Sequence, residues 1–138
     1  MNPYARYQLQ ASSTEPRIDM LLSLFDAACD RTEAALDAMS GADQEAARRL
    51  RVRARLVVLG LWSGVDNDRR EEGVNLVGLY QFVTKALAEG SLEEVRGSLE
   101  VLRTLREGFR GIREEAIQLE RDGVIPPIDA ICAIHAVG

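Results

Sequence analysis

Few side chains in this chain could do chemistry. His135 is the sole histidine, and Cys29 and Cys132 are the sole cysteines. Cys132 and His135 have the spacing of half a zinc site, but a closed tetrahedral site needs four donors, and Cys29 alone completes it poorly. A nucleophilic dyad would need a partner to orient the imidazole. Packing in a core or a tail accounts for all three more simply. Glu93-Glu94 and Glu114-Glu115 are carboxylate pairs, yet neighbours on a helix diverge by ~100° and cannot converge on one reacting atom. They read as solvated faces. The glycines stand singly or at segment ends, so they make no phosphate-cradling loop. Arg48, Arg49, Arg51, Arg53 and Arg55 form a basic run. On a helix it splits, with Arg48, Arg51 and Arg55 on one side and Arg49 and Arg53 on another. No aromatic residue interleaves it to stack on bases, so a solvated or salt-bridged helix face is expected. Nothing here composes an active site, a metal centre or a cofactor pocket, and no enzyme is expected.

The elements that carry these residues are helical. Strand-like alternation is absent, whereas 3.6-residue periodicity recurs four times. The first stripe is Ile18, Leu21, Leu22, Phe25, Ala28, Cys29, Leu36 and Met39, with Ser13 or Thr14 able to cap it and Ser40-Gly41 ending it. Pro16 suits a first helical turn, where its missing N–H would be unpaired anyway. A second helix runs from about Asp43 to Trp62, with Leu50, Ala54, Val57 and Leu61 on one face. Gly64 and Asp66-Asn67-Asp68 break the chain, and Asp68 with Glu71 starts a third helix carrying Leu76, Leu79, Tyr80, Val83 and Leu87. Gly90 is expected to stop it in a left-handed conformation. Ser91-Leu92-Glu93-Glu94 is a capping-box pattern. It opens a fourth helix whose stripe is Val95, Leu99, Leu102, Leu105, Phe109, Ile112, Ala116 and Leu119, a continuous rod of about 30 residues and roughly 45 Å. Short connections favour antiparallel neighbours. The expected fold is therefore all-α: an antiparallel up-down four-helix bundle over 14–122. An N-terminal extended or short helical segment (1–13) precedes it, and a short apolar C-terminal helix (123–138) follows.

Length and charge agree with that outline. The chain has 138 residues, enough for one domain with a real core. Apolar residues are 46% of it and charged residues 28%, with 22 acidic against 17 basic and a net charge of −5. An acidic balance argues against a dedicated nucleic-acid binder. No apolar run reaches the ~18–20 residues of a membrane span, and Met1-Asn2-Pro3-Tyr4 lacks the regions of a secretory signal. Two distant cysteines are no disulfide framework. A cytoplasmic protein is expected.

The apolar pattern overshoots in one place. Leu56-Val-Val-Leu-Gly-Leu-Trp62 is apolar on every side. Leu50, Val57 and Leu61 point one way, and Val52, Leu56 and Leu59 another. A bundle core can absorb only one cluster, and a large exposed apolar patch is unusual on a monomer. Either a terminal segment covers the second cluster or a partner docks on it, and the two can alternate. The tail Ile125-Pro126-Pro127-Ile128-Asp129-Ala130-Ile131-Cys132-Ala133-Ile134 is apolar too, with Ile128, Ile131 and Cys132 on one face.

Four strings together resemble the FliS family of flagellar export chaperones. Asn2-Pro3-Tyr4-Ala5-Arg6-Tyr7 is similar to its N-terminal Asn-Pro-Tyr-x-x-Tyr signature, and Leu24-Phe25-Asp26 to its Leu-(Tyr/Phe)-Asp. Asn75-Leu76-Val77-Gly78-Leu79-Tyr80-Gln81-Phe82 resembles Asn-Leu-x-x-Leu-Tyr-x-(Tyr/Phe), and Leu105-Arg106-Glu107-Gly108-Phe109 resembles Leu-Arg-Glu-Ala-Trp. Their order and spacing along residues 2–112 carry the resemblance. Phe109 stands where the family has tryptophan, and the apolar tail replaces one that is commonly short and polar.

The resemblance implies a cytoplasmic chaperone that clasps the disordered C-terminal region of flagellin in apolar grooves. It would prevent premature polymerisation and assist delivery to the export gate. The expected groove residues are Val52, Leu56, Leu59, Trp62, Leu79, Phe82 and Val83, and Tyr4 and Tyr7 would contact an export-gate component or cap the groove. No cofactor, nucleic acid or membrane insertion is implied, and weak self-association is compatible. The tail at 124–138 could occupy the client groove as a self-inhibitor. The alternative from a different class is a self-associating helical scaffold without a flagellin client.

Overall fold

The computed structural model describes residues 15–65 and 70–124, with side-chain detail lacking for 70–74. Five helices follow one another: α1 (Arg17–Met39), α2 (Gln44–Ser63), α3 (Arg70–Glu89), α4 (Leu92–Gly111) and α5 (Arg113–Arg121). No strand occurs among the described residues. The N-terminal segment, Asp68 and the expected C-terminal helix lie outside the described residues, as do Tyr4, Tyr7, Cys132 and His135. Two compact units divide the chain: Leu24–Arg106, and residues up to Ser23 joined with those from Glu107.

In the unit Leu24–Arg106 four helices share one core. It is built from Phe25, Ala28, Cys29 and Ala35 of α1, Ala47, Ala54, Val58 and Leu61 of α2, Tyr80, Val83, Ala86 and Leu87 of α3, and Val95, Leu99 and Leu102 of α4. The antiparallel bundle expected from sequence is present, with α3 and α4 joined through only Gly90 and Ser91. Five buried alanines let the helix backbones approach closely, since interaxial distance follows side-chain size. The α2 phase differs by one residue from the expected stripe. Val58 is fully buried, while Val57 and Leu50 are only half-buried.

Caps fix the helix ends. Asp43 accepts the Ala46 N–H at 3.0 Å and starts α2. Ser91 and Glu94 form the reciprocal capping box: Glu94 N–H donates to Ser91 Oγ and Ser91 N–H to Glu94 Oε1, both at 3.2 Å. The α3 terminus is a correction. Gly90 is not left-handed, because Gly123 is the sole glycine of positive φ among the described residues. Room, not φ, requires glycine at 90: a Cβ there would stand 2.7 Å from Ala86 Cα and 2.7 Å from Ala86 O.

Two ion pairs tie α1 to α4 inside this unit. Arg106 Nη1 donates to Asp26 Oδ1 at 3.1 Å, and Arg103 lies 3.6 Å from Glu33. Cys29 is buried, and burial pushes its thiol pKa up against the opposing fields of Arg106 and Arg103. It is a core residue, not a nucleophile.

Three serine or threonine residues are buried among the described residues, and two of them give opposite predictions. Thr84 and Ser98 donate to carbonyls one turn back, Tyr80 O at 2.8 Å and Glu94 O at 3.0 Å. Thr32, fully buried in α1, has no partner for its Oγ1 among the described residues. Thr32→Val keeps the shape and removes an unmet polar group, so it should stabilise the protein by about 1 kcal/mol in urea unfolding. Thr84→Val instead breaks a made bond and should cost about as much.

Tyr80 titrates late. Burial pushes its phenol pKa from 10.0 up to about 12. The folded state therefore prefers the neutral ring. That contribution is complete below the unfolded pKa and is lost as pH rises through the folded one. Between those two pKa values the protein should lose on the order of 2–3 kcal/mol that Tyr80→Phe does not lose. Parallel urea titrations of both proteins across that window check it.

In the other unit, described by itself, α5 is set against the start of α1. The orphan Arg17 N–H at the head of α1 donates to Glu120 Oε2 at 3.0 Å. Arg113 holds Asp19 with both arms of its guanidinium, at 2.6 and 2.9 Å. Its hydrogen bonds lower the Asp19 carboxyl pKa below the ordinary value. The continuous rod expected through Leu119 is interrupted here. Ile112 adopts φ −107° and ψ 10°, and its N–H reaches back only to Phe109 at 3.3 Å. Gly108 and Gly111, the weakest helix formers bar proline, flank the break, and Ile112 is 46% exposed. α5 ends in the left-handed cap misplaced at Gly90. Gly123 has φ 76°, its N–H bonds Glu120 O, and Val124 N–H bonds Leu119 O, a Schellman pair.

Candidate partner-binding surface

α2 is amphipathic twice over. Ala47, Ala54, Val58 and Leu61 face the core at spacings of three, four and seven. At ~100° per residue, Val52, Leu56 and Leu59 fall on roughly the opposite side of the helix. Val52 is 53% exposed and Leu56 61% exposed, while Leu59 and Trp62 are half-buried. The surplus cluster therefore stands open among the described residues.

Beside it lies a groove of about 430 Å3 lined by Met39, Ala47, Val52, Leu87, Arg48, Arg51 and Arg55, among others. Arg51 has a structural task there. Its Nε donates to Leu87 O at 2.9 Å, and its Nη2 donates to Ala86 O at 2.8 Å and Gly90 O at 2.7 Å. Arg55 Nε adds Thr84 O at 3.2 Å. α3 has no basic residue in its own last turn, so its orphan carbonyls are satisfied by cations from α2. Sequence reasoning placed Arg51 on a solvated face. The signal that could have found it was a helix ending at Gly90 with no cation in its own last turn.

The seven expected groove residues do not share one face. Phe82 is 42% exposed, and a Cβ on Gly97 of α4 would meet its ring tip at 3.7 Å, so it stands on the α4 side of α3. Leu79 is half-buried. Val83 is a correction: it is fully buried on the Tyr80–Val83–Leu87 stripe and offers a partner no surface. Val52, Leu56 and Leu59 share the outer face of α2.

Three of the four motif strings have plain structural roles. Phe25 and Tyr80 fill the core, and Asp26 pairs with Arg106, so Leu-Phe-Asp and Leu-Arg-Glu are joined by an ion pair. The comparison that decides the family is a match over residues 1–116 to the family model described as Flagellar protein FliS. The chain belongs to that family. FliS proteins are flagellar export chaperones rather than enzymes, and this all-helical bundle is what the family leads one to expect. No curated relative and no solved structure matches the chain. Among the described residues no helix is long and apolar enough to cross a membrane, and no group of three or more His, Cys, Asp or Glu could hold a metal ion.

Proposed function

We propose that this FliS-family chain holds the C-terminal region of flagellin in the cytoplasm, prevents its premature polymerisation and assists its delivery to the export gate. The observation that carries this reading is the open apolar ridge on α2, with Val52 and Leu56 more than half exposed in a chain of that family. A client that is disordered when free would fold into helices along the ridge, and apolar burial must exceed an ordering cost of ~2–5 kcal/mol. Val52, Leu56, Leu59 and Trp62 form the first seat, and Leu79 with Phe82 a second. Tyr4 and Tyr7 serve as gate contact and groove cap, and the tail at 124–138 competes for a seat as a self-inhibitor.

Calorimetric titration with the last ~50 residues of flagellin from the same organism tests this. The expected result is sub-micromolar one-to-one binding with a large negative heat-capacity change, the mark of coupled folding. A version lacking residues 124–138 should bind more tightly. Absence of binding by both versions would overturn the reading in favour of a self-associating scaffold.

A further inference from the structure

α2 carries five arginines against one glutamate, Glu45, in a chain whose net charge is −5. Four arginines of α4 and α5 are neutralised. Arg103, Arg106, Arg110 and Arg113 each pair with a carboxylate. Among the described residues, no carboxylate stands within ion-pair distance of Arg48, Arg49 or Arg53. An acidic protein has carboxylates to spare, yet it leaves these three cations open.

Their placement follows the apolar ridge. With ~100° per residue, Arg48 and Arg55 lie on one flank of Val52, Leu56 and Leu59, and Arg49 and Arg53 lie on the other. Along the axis Arg48 and Arg55 are ~10 Å apart and Arg49 and Arg53 ~6 Å apart, the spacings at which one helix presents side chains to another. An apolar seam edged by charge on both sides is the arrangement by which paired helices select partners, the seam giving affinity and the edges giving choice.

We propose that the occupant of this face is an acidic amphipathic helix, its apolar stripe over Val52, Leu56 and Leu59 and its carboxylates toward Arg48 and Arg55 on one side and Arg49 and Arg53 on the other. This rests on the reading of α2 as a client seat and specifies the chemistry of the client. A nucleic acid fits less well, because the cations are split by an apolar ridge and no aromatic ring stands among them; Trp62, the sole aromatic residue of α2, follows the last arginine by seven positions. A membrane surface fits less well too, since such helices present a broad face of large apolar residues, whereas Val52 and Leu56 are the only large apolar residues exposed on α2.

The test uses the full chain and three synthetic helical peptides with one apolar stripe, flanked on both sides by Glu, Gln or Lys. Anisotropy titrations at low salt should rank them Glu, Gln, Lys, with the first at least ~10-fold tighter than the last, and the gap should narrow in high salt as charges are screened. The triple variant Arg48→Glu, Arg49→Glu, Arg53→Glu touches no side-chain bond among the described residues and should reverse the ranking while keeping its melting temperature. Equal affinity for the Glu and Lys peptides would overturn the proposal, as would an unchanged ranking in the triple variant. Tighter arginine-dependent binding of single-stranded RNA or of phosphatidylglycerol vesicles than of the Glu peptide would also overturn it. If flagellin binds without charge discrimination, only this inference fails; if the peptides are ranked but flagellin does not bind, only the identity of the client fails.

Discussion

Leu56→Glu should weaken binding of the flagellin C-terminal segment about 100-fold, with the fold left intact. Leu56 is 61% exposed in the free chain, so the new carboxylate is hydrated there and the melting temperature should barely move. In the complex the loss is twofold in origin: the burial of one leucine is forgone, and a charge must be desolvated or left beside apolar groups. Together these come to roughly 3 kcal/mol, or about two decades in Kd. The same substitution at a core position of α2, Val58→Glu, should unfold the bundle instead. Calorimetry and thermal melts on the two variants separate seat from core. Undiminished binding by Leu56→Glu would remove α2 from the interface.

Among the described glycines, Gly90→Ala should be the most destabilising substitution. The atoms it meets at 2.7 Å are backbone, Ala86 Cα and O, and cannot rotate away. Relief requires moving the α3 terminus, and with it the carbonyls of Ala86, Leu87 and Gly90 that Arg51 grips. A cost of about 3 kcal/mol, or roughly a 10 °C fall in melting temperature, is expected. Arg51→Ala should cost somewhat less, about 2 kcal/mol, by leaving those carbonyls short of donors. The double variant should cost less than the two added, because both disturb one set of bonds. Strict additivity would show that the steric clash and the guanidinium grip act independently.

Much of this molecule is legible along the chain because its signals are local. The capping box at Ser91 and Glu94 and the Tyr80–Val83–Leu87 part of the α3 stripe follow from short-range rules, and both stand where those rules put them. The double amphipathicity of α2 was visible as a run apolar on every side, and the outward cluster is exposed. What was not legible depends on partners distant in sequence. Arg51 reads as solvent-facing until α3 is laid beside it, 35–39 residues on. Ile112 continues the periodic stripe, so nothing in the spacing marks a break there. Its backbone departs from helix where two glycines weaken it. Val83 satisfied the expected groove by residue type, but one residue of phase separates it from Phe82, and that residue decides between core and surface.

The grip of Arg51 on α3 bears on what an approaching molecule meets. A tally along α2 gives five guanidinium groups. One of them has its donors committed to three carbonyl oxygens and a second leans on another, so part of the helix's donor capacity is spent inside the fold. All five groups keep their charge and attract at a distance, but the donors left for a partner at close range are those of Arg48, Arg49 and Arg53, with part of Arg55. Attraction toward this face should accordingly exceed what it can bond on contact, so that an incoming acidic helix is oriented by five charges and held by three or four.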